Sequence, residues 1–205
     1  MIILEPSFEI LTPINKAEIY KKLELAGRVC YKSENLITED SATKFVEKIA
    51  QRHHESVLEH HSITVKFITD RGVSQETIRH RLASYSQEST RYCSYNKDKF
   101  SNQISVIKPD NIKEGSSEYN MWKSTCEACE MGYFALLNNG VTPENARSVL
   151  PTCLKTEIVV TANLREWKHI FEMRCAEAAH PDIRKIMIPL RDEFRRVMPE
   201  IFGEE

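Results

Sequence analysis

Asn15 stands three residues ahead of Glu18, and Asn163 three residues ahead of Glu166. That spacing marks a helix start: the amide oxygen accepts from a first-turn N–H while the glutamate reaches back. It predicts one helix from Asn15 to about Tyr31 and another from Asn163 to about Ala178. Similar punctuation predicts the rest. Ser41 to His53 should be helical, with Phe45, Val46 and Ile49 on its apolar face. The longest helix should run from Glu118 to Asn138 and stop at Asn139-Gly140. Thr142-Pro143 opens a short helix that Pro151 ends, and Pro181 opens the last one, which Pro189 should disturb. Ser62 to Phe67 alternates and reads as a strand. Ile104 to Ile107, Lys155 to Ala162 and a piece around Tyr92 also read as extended. Gly72 breaks the chain, and Ser74 is the expected N-cap of a short helix carrying Arg79, His80 and Arg81 near its end. No linker or repeat interrupts this order. The expectation is α+β: a single mixed domain over residues 1–205, richer in helix than in sheet.

The bulk numbers narrow the function. The chain has 205 residues, 41% hydrophobic and 28% charged, which fits a soluble chain with a real core. A formal net charge of -2 argues against a general nucleic-acid binder, which carries a basic surplus. No run of about 18 apolar residues suggests a membrane span. Met1-Ile2-Ile3-Leu4-Glu5-Pro6 lacks the basic start and apolar core of a signal peptide. The six cysteines, at positions 30, 93, 126, 129, 153 and 175, therefore read as reduced thiols of a cytoplasmic protein.

Cationic groups are instead concentrated in one segment, Arg79-His80-Arg81-Leu82-Ala83-Ser84-Tyr85-Ser86-Gln87-Glu88-Ser89-Thr90-Arg91-Tyr92. Arginine suits bidentate recognition of phosphate, and the hydroxyls and amide add donors and acceptors. Such a composition fits an anionic heteroaromatic ligand. If helical, Arg79, His80 and Arg81 would fan apart by about 100° each, so they would serve a ligand that wraps a helix end. The bland alternative is cations placed at a helix C-terminus.

Other clusters carry less. His53-His54-Glu55-Ser56-Val57-Leu58-Glu59-His60-His61 lacks the spacing that puts two zinc ligands on one helical face; it reads as a polar wall beside a cofactor or as surface histidines. No metal is expected. Cys126-Glu127-Ala128-Cys129 is a lone pair inside the longest helix and reads as core. On the Asn163 helix, Arg165 and His169 share a face. Arg174 lies about 140° from His169, which suggests separate contacts. Arg147, taken alone, is an ordinary helix arginine.

Taken together, these segments resemble the flavin-dependent thymidylate synthases. Arg79-His80-Arg81 followed after seven residues by Ser89, then Arg91-Tyr92, is similar to that family's signature. His54-Glu55 with Glu59-His60 resembles its upstream segment, Ala146-Arg147-x-Val149-Leu150-Pro151 its downstream one, and Asn163-Leu164-Arg165 with Arg174 its C-terminal one. The four motifs keep the family's order over residues 53–174. The resemblance implies a homotetramer with active sites at subunit interfaces and noncovalent FAD. It implies conversion of dUMP to dTMP, with methylenetetrahydrofolate as carbon donor, NADPH as reductant and tetrahydrofolate as the folate product.

Carried over residue by residue, Ser56, Arg79, His80, Arg81, Gln87, Asn163, Leu164, Arg165 and His169 would hold the flavin. Glu76, Arg79, Gln87, Glu88, Ser89, Thr90, Arg91, Arg147 and Arg174 would surround dUMP. Arg174 would be the catalytic group, a fixed cation stabilising negative charge as the uracil ring becomes nucleophilic at C5. Ser89 has no general base beside it in sequence, so a binding role is expected. Gln87 stands where some members carry Glu, His169 where some carry Asn, and Glu76 where some carry Gln. Two rival readings use the same residues: an RNA binder stacking bases on Tyr85 and Tyr92, and a metal-dependent hydrolase built on the histidine stretch.

Overall fold

The computed structural model describes residues 1–93, 95 and 102–203. Its elements run β1 (Ile2–Leu4), β2 (Ser7–Ile10), α1 (Lys16–Val29), α2 (Ser41–Gln51), β3 (Ser62–Asp70), α3 (Arg71–Thr77), β4 (Ala83–Gln87), β5 (Ser105–Ile107), α4 (Ser117–Asn138), α5 (Pro143–Ala146), β6 (Lys155–Asn163), α6 (Leu164–Cys175), α7 (Pro181–Val197) and α8 (Pro199–Phe202). Short 3-10 turns cover Glu34–Leu36, Glu55–His60 and Arg147–Val149. The fold is mixed and helix-rich, as expected. Four strands form one sheet in the order β2-β3-β6-β4, and β1 pairs with β5 in parallel, Ile3 opposite Val106.

The helix starts follow the caps. Asn15 Oδ1 accepts from the Glu18 N–H and Asn163 Oδ1 from the Glu166 N–H. Along β6, Thr156, Ile158, Val160 and Ala162 are buried and alternate with half-buried residues, the period of two that a sheet imposes.

Some expectations are corrected. The short helix is capped by Asp70, not Ser74: Asp70 Oδ1 accepts from the Val73 N–H at 2.8 Å. Asp70 ends β3, so the helix begins at once, and Ser74 becomes an interior residue whose hydroxyl donates to the Arg71 carbonyl. Tyr92 lies in a turn, its N–H bonded to the Ser89 carbonyl. Helix α7 continues through Pro189. The strands β1, β2 and β4 and helix α8 were not expected.

Two compact units emerge. The first comprises Met1–Ser7, Phe67–Arg79 and Tyr85–Val159. Its core gathers Ile104, Val106, Cys126, Tyr133, Ala146 and Leu154. Glu130 ties its edge, accepting from the Ile104 N–H at 2.9 Å and meeting the Met1 amine at 3.1 Å. The second comprises Phe8–Lys66, His80–Ser84 and the chain from Val160 onward. Its centre is Trp167, fully buried, which stacks on Phe171 and tilts against Phe194, with Phe202 closing the aromatic group. The Trp167 indole N–H donates to the Ile63 carbonyl at 3.1 Å, so burying it strands no donor. Gly27 lets α1 approach α2: a methyl group there would lie 2.5 Å from the Phe45 ring.

Candidate active site

Arg79, His80 and Arg81 lie beyond α3, whose C-cap is Ile78. They do not fan around a helix. The helix closes before them: the Ile78 N–H bonds the Ser74 carbonyl, the Arg79 N–H the Glu76 carbonyl, and the chain is extended again from Ala83. Arg79 and Arg81 are exposed, whereas His80 is only 6% exposed.

In the second unit His80 sits against α6. Arg174 Nε donates to His80 Nε2 at 2.9 Å. Glu166 Oε1 faces His80 Nδ1 at 3.5 Å, and the His169 ring lies edge-to-face, 5.5 Å away. The angular separation of His169 and Arg174 had suggested separate contacts. Both reach His80, because helical side chains lean toward the N-terminus and arginine is long. Burial, with the Arg174 charge and His169 beside it, pushes the His80 pKa down to about 4. The ring is therefore neutral near pH 7 and can accept from the guanidinium. Burial pushes the Glu166 carboxyl upward.

Beside this cluster, also in the second unit, is a cavity of about 1090 Å³. Asn163, Arg165 and His169 line it, with Leu82, Phe171 and Ile201 supplying apolar surface. Glu55 and Glu59 line it too, while the neighbouring histidines do not belong to its wall. His53 has another task. With φ at 53° it occupies the left-handed position after α2, and the His53 and His54 N–H groups bond the Ala50 and Ile49 carbonyls. This closes a helix end of the Schellman type. The 3-10 turn that follows turns the carboxylates to the cavity. Arg165 Nη1 meets Glu59 Oε1 at 2.6 Å and Arg165 Nε meets Glu55 Oε2 at 3.5 Å, while Lys168 Nζ donates to Glu55 at 2.9 Å. The Lys168 bond holds the Glu55 carboxyl below its usual range. Such exposed pairs add little stability, but they fix where Arg165 points. Ser56 is exposed on the same turn. Leu164 is fully buried and its N–H donates to the His61 carbonyl at 3.0 Å, so it anchors the helix start.

The first unit holds a second set. Thr90 is buried, and its Oγ1 accepts from Arg147 Nη1 at 3.0 Å, while Arg147 Nε donates to the Glu144 carbonyl. Arg91 Nη2 lies 3.7 Å from Glu144 Oε2, and its N–H donates to Ser89 Oγ. Gln87 Nε2 donates to Ser74 Oγ at 2.8 Å and Thr156 Oγ1 at 3.2 Å. Glu88 accepts from Lys155 at 3.1 Å, and Glu76 is half-buried on α3. This is a loop stocked with guanidinium and hydroxyl donors, chemistry that suits a phosphate and a sugar.

Leu82 and Lys168 line the cavity and Glu166 faces His80 without a sequence motif that marks them. The helical spacing of Glu166 to His169 was visible, but its partner is 86 positions away in sequence and only the fold reveals it. Among the described residues no group of three or more His, Cys, Asp and Glu side chains is arranged to hold a metal, and no helix is long and apolar enough to cross a membrane.

Comparison with known proteins agrees on one family. A family model described as thymidylate synthase complementing protein matches residues 14–200. The chain is 37% identical over 188 residues to a flavin-dependent thymidylate synthase of Geobacter sulfurreducens, covering 88% of this chain and 79% of that protein. It is 34% identical over 161 residues to one of Pyrococcus furiosus, covering 78% of this chain and 65% of the relative. A third, from Mycolicibacterium gilvum, is 33% identical over 201 residues and is covered to 78%.

Proposed function

The chain belongs to the family described as thymidylate synthase complementing protein, and from that premise we propose that it is a flavin-dependent thymidylate synthase that methylates dUMP to dTMP. Methylenetetrahydrofolate donates the carbon and NADPH the reducing equivalents, leaving tetrahydrofolate. The observation that carries this reading is the meeting of two distant motifs on one buried imidazole, Arg174 Nε on His80 Nε2 at 2.9 Å, beside a cavity of about 1090 Å³. That volume is just above the usual range of ligand clefts and has room for FAD. Its lining fits as well: Phe171 and Leu82 offer apolar faces, Asn163 and His169 hydrogen bonds, and Arg165 a cation.

In this reading Ser56, Arg79, His80, Arg81, Gln87, Asn163, Arg165 and His169 hold the flavin, with Leu164 anchoring the helix start beneath. When bound and reduced, FAD supplies the electrons that complete the methyl group. Glu76, Arg79, Gln87, Glu88, Ser89, Thr90, Arg91 and Arg147 hold dUMP; the Arg147–Thr90 bond pre-sets a guanidinium for phosphate, which lowers the ordering cost on binding. Arg174, its plane fixed through Nε, stabilises negative charge developing on the uracil. Ser89 orients substrate. Residues 1–205 work as one synthase domain, assembled as a homotetramer with sites at subunit interfaces. It acts in the cytoplasm, where its six free thiols stay reduced.

The test is a visible absorption spectrum of purified protein after incubation with FAD and gel filtration. Retained flavin that NADPH bleaches, at a rate dUMP alters, is expected. Protein that retains no flavin under any condition would remove the cofactor and reopen the RNA and metal readings.

A further inference from the structure

Glu166 occupies the third helical position after its N-cap, where a glutamate ordinarily folds back to the cap N–H. Its backbone N–H does use the cap, donating to Asn163 Oδ1 at 2.8 Å. Its carboxylate faces elsewhere, with Oε1 3.5 Å from His80 Nδ1. Glu166 and His80 are each 6% exposed. A carboxylate is costly to bury, so its placement against a ring nitrogen calls for an electrostatic reason.

The other ring nitrogen supplies one. Arg174 Nε can only donate, so His80 Nε2 must present its lone pair. The single proton of a neutral ring then sits on Nδ1, directed at Glu166. Removing the Glu166 carboxylate weakens the hold on that proton, and the Nε2–H form, which an isolated histidine prefers, gains. Two N–H groups would then oppose each other and the guanidinium would turn away.

We propose that Glu166 is a positioning residue: it holds His80 in the Nδ1–H tautomer so that Nε2 accepts from Arg174 Nε and fixes the guanidinium that faces the uracil. The assignment of Arg174 to the uracil rests on the synthase reading; the tautomer rests on geometry alone. Glu166 acts at second hand, through His80, and touches no reacting atom.

The experiment has two arms, run on the FAD-loaded protein. Histidine 15N spectra, with the His80 signals identified by their loss in His80→Gln, report which ring nitrogen carries the proton. Wild type should show Nδ1–H, Glu166→Gln should keep it through the amide oxygen, and Glu166→Leu should shift it toward Nε2–H. Steady-state dTMP formation supplies the second arm. Losing the carboxylate that faces His80 Nδ1, and with it the Arg174–His80 bond, predicts a kcat about tenfold to a hundredfold lower for Glu166→Leu, with a smaller change in the KM for dUMP. Glu166→Gln should recover most of that loss. An Nε2–H tautomer in wild type overturns the proposal whatever the Glu166 variants do. So do equal losses in the Gln and Leu variants, or a Leu variant with wild-type kcat. A wild-type chain with the Nδ1–H tautomer that makes no dTMP overturns the synthase reading and the role of Arg174, leaving the Glu166–His80 geometry intact.

Discussion

Acid should weaken this protein through His80. The free imidazole takes a proton near pH 6.5, whereas burial and the neighbouring Arg174 charge delay it in the folded chain to about pH 4. Between these values the unfolded chain binds more protons, so stability falls as pH drops through that window. The depression is worth about 3 kcal/mol once pH lies below both values, and about 2 kcal/mol of it is lost between pH 7 and pH 5. His80→Gln removes the titration while an amide oxygen can still accept from Arg174. Urea unfolding followed by tryptophan fluorescence at pH 7 and pH 5 measures the difference. Wild type should lose about 2 kcal/mol more than the variant over this range. His61 is also pushed down, chiefly by burial, but it is common to both proteins and cancels. Equal losses would refute the claim that His80 is held neutral by its surroundings.

Other outcomes follow from the same contacts. Phe194→Ala opens a hole between Trp167, Phe171 and Phe202 and should cost about 3–5 kcal/mol in urea unfolding. Asn163→Ala removes the α6 cap and should cost about 1 kcal/mol, together with weaker flavin retention on gel filtration. If sites are shared between subunits, mixing inactive Arg79→Ala and Arg147→Ala chains should restore part of the activity; verified mixed oligomers with none would argue against sharing.

The helices were legible because their ends carry their own chemistry. Asn15, Asn163, Thr142 and Gly140 each sit at a predicted boundary. Short strands were not. Ala83–Gln87 has little strand propensity of its own, and β1 is three residues long; both are extended because a neighbour pairs with them. At the site, chemistry was legible and geometry was not. The signature named His80 and Arg174, yet angular spacing on α6 argued that His169 and Arg174 would part, since it ignores side-chain length and lean. The histidine stretch drew the eye, but its carboxylates Glu55 and Glu59 face the cavity. Glu166 read as half of a capping box, and its second task depends on a residue brought from across the chain.

The most direct measurement is product analysis after incubating the FAD-loaded protein with dUMP, methylenetetrahydrofolate and NADPH, for wild type and Arg174→Lys. The account predicts dTMP together with tetrahydrofolate, none of either without NADPH, and a large loss of turnover in the variant, which keeps the charge but loses the Nε–H bond to His80. Absence of dTMP from flavin-replete wild type, or dTMP formed with dihydrofolate and without NADPH, would contradict it.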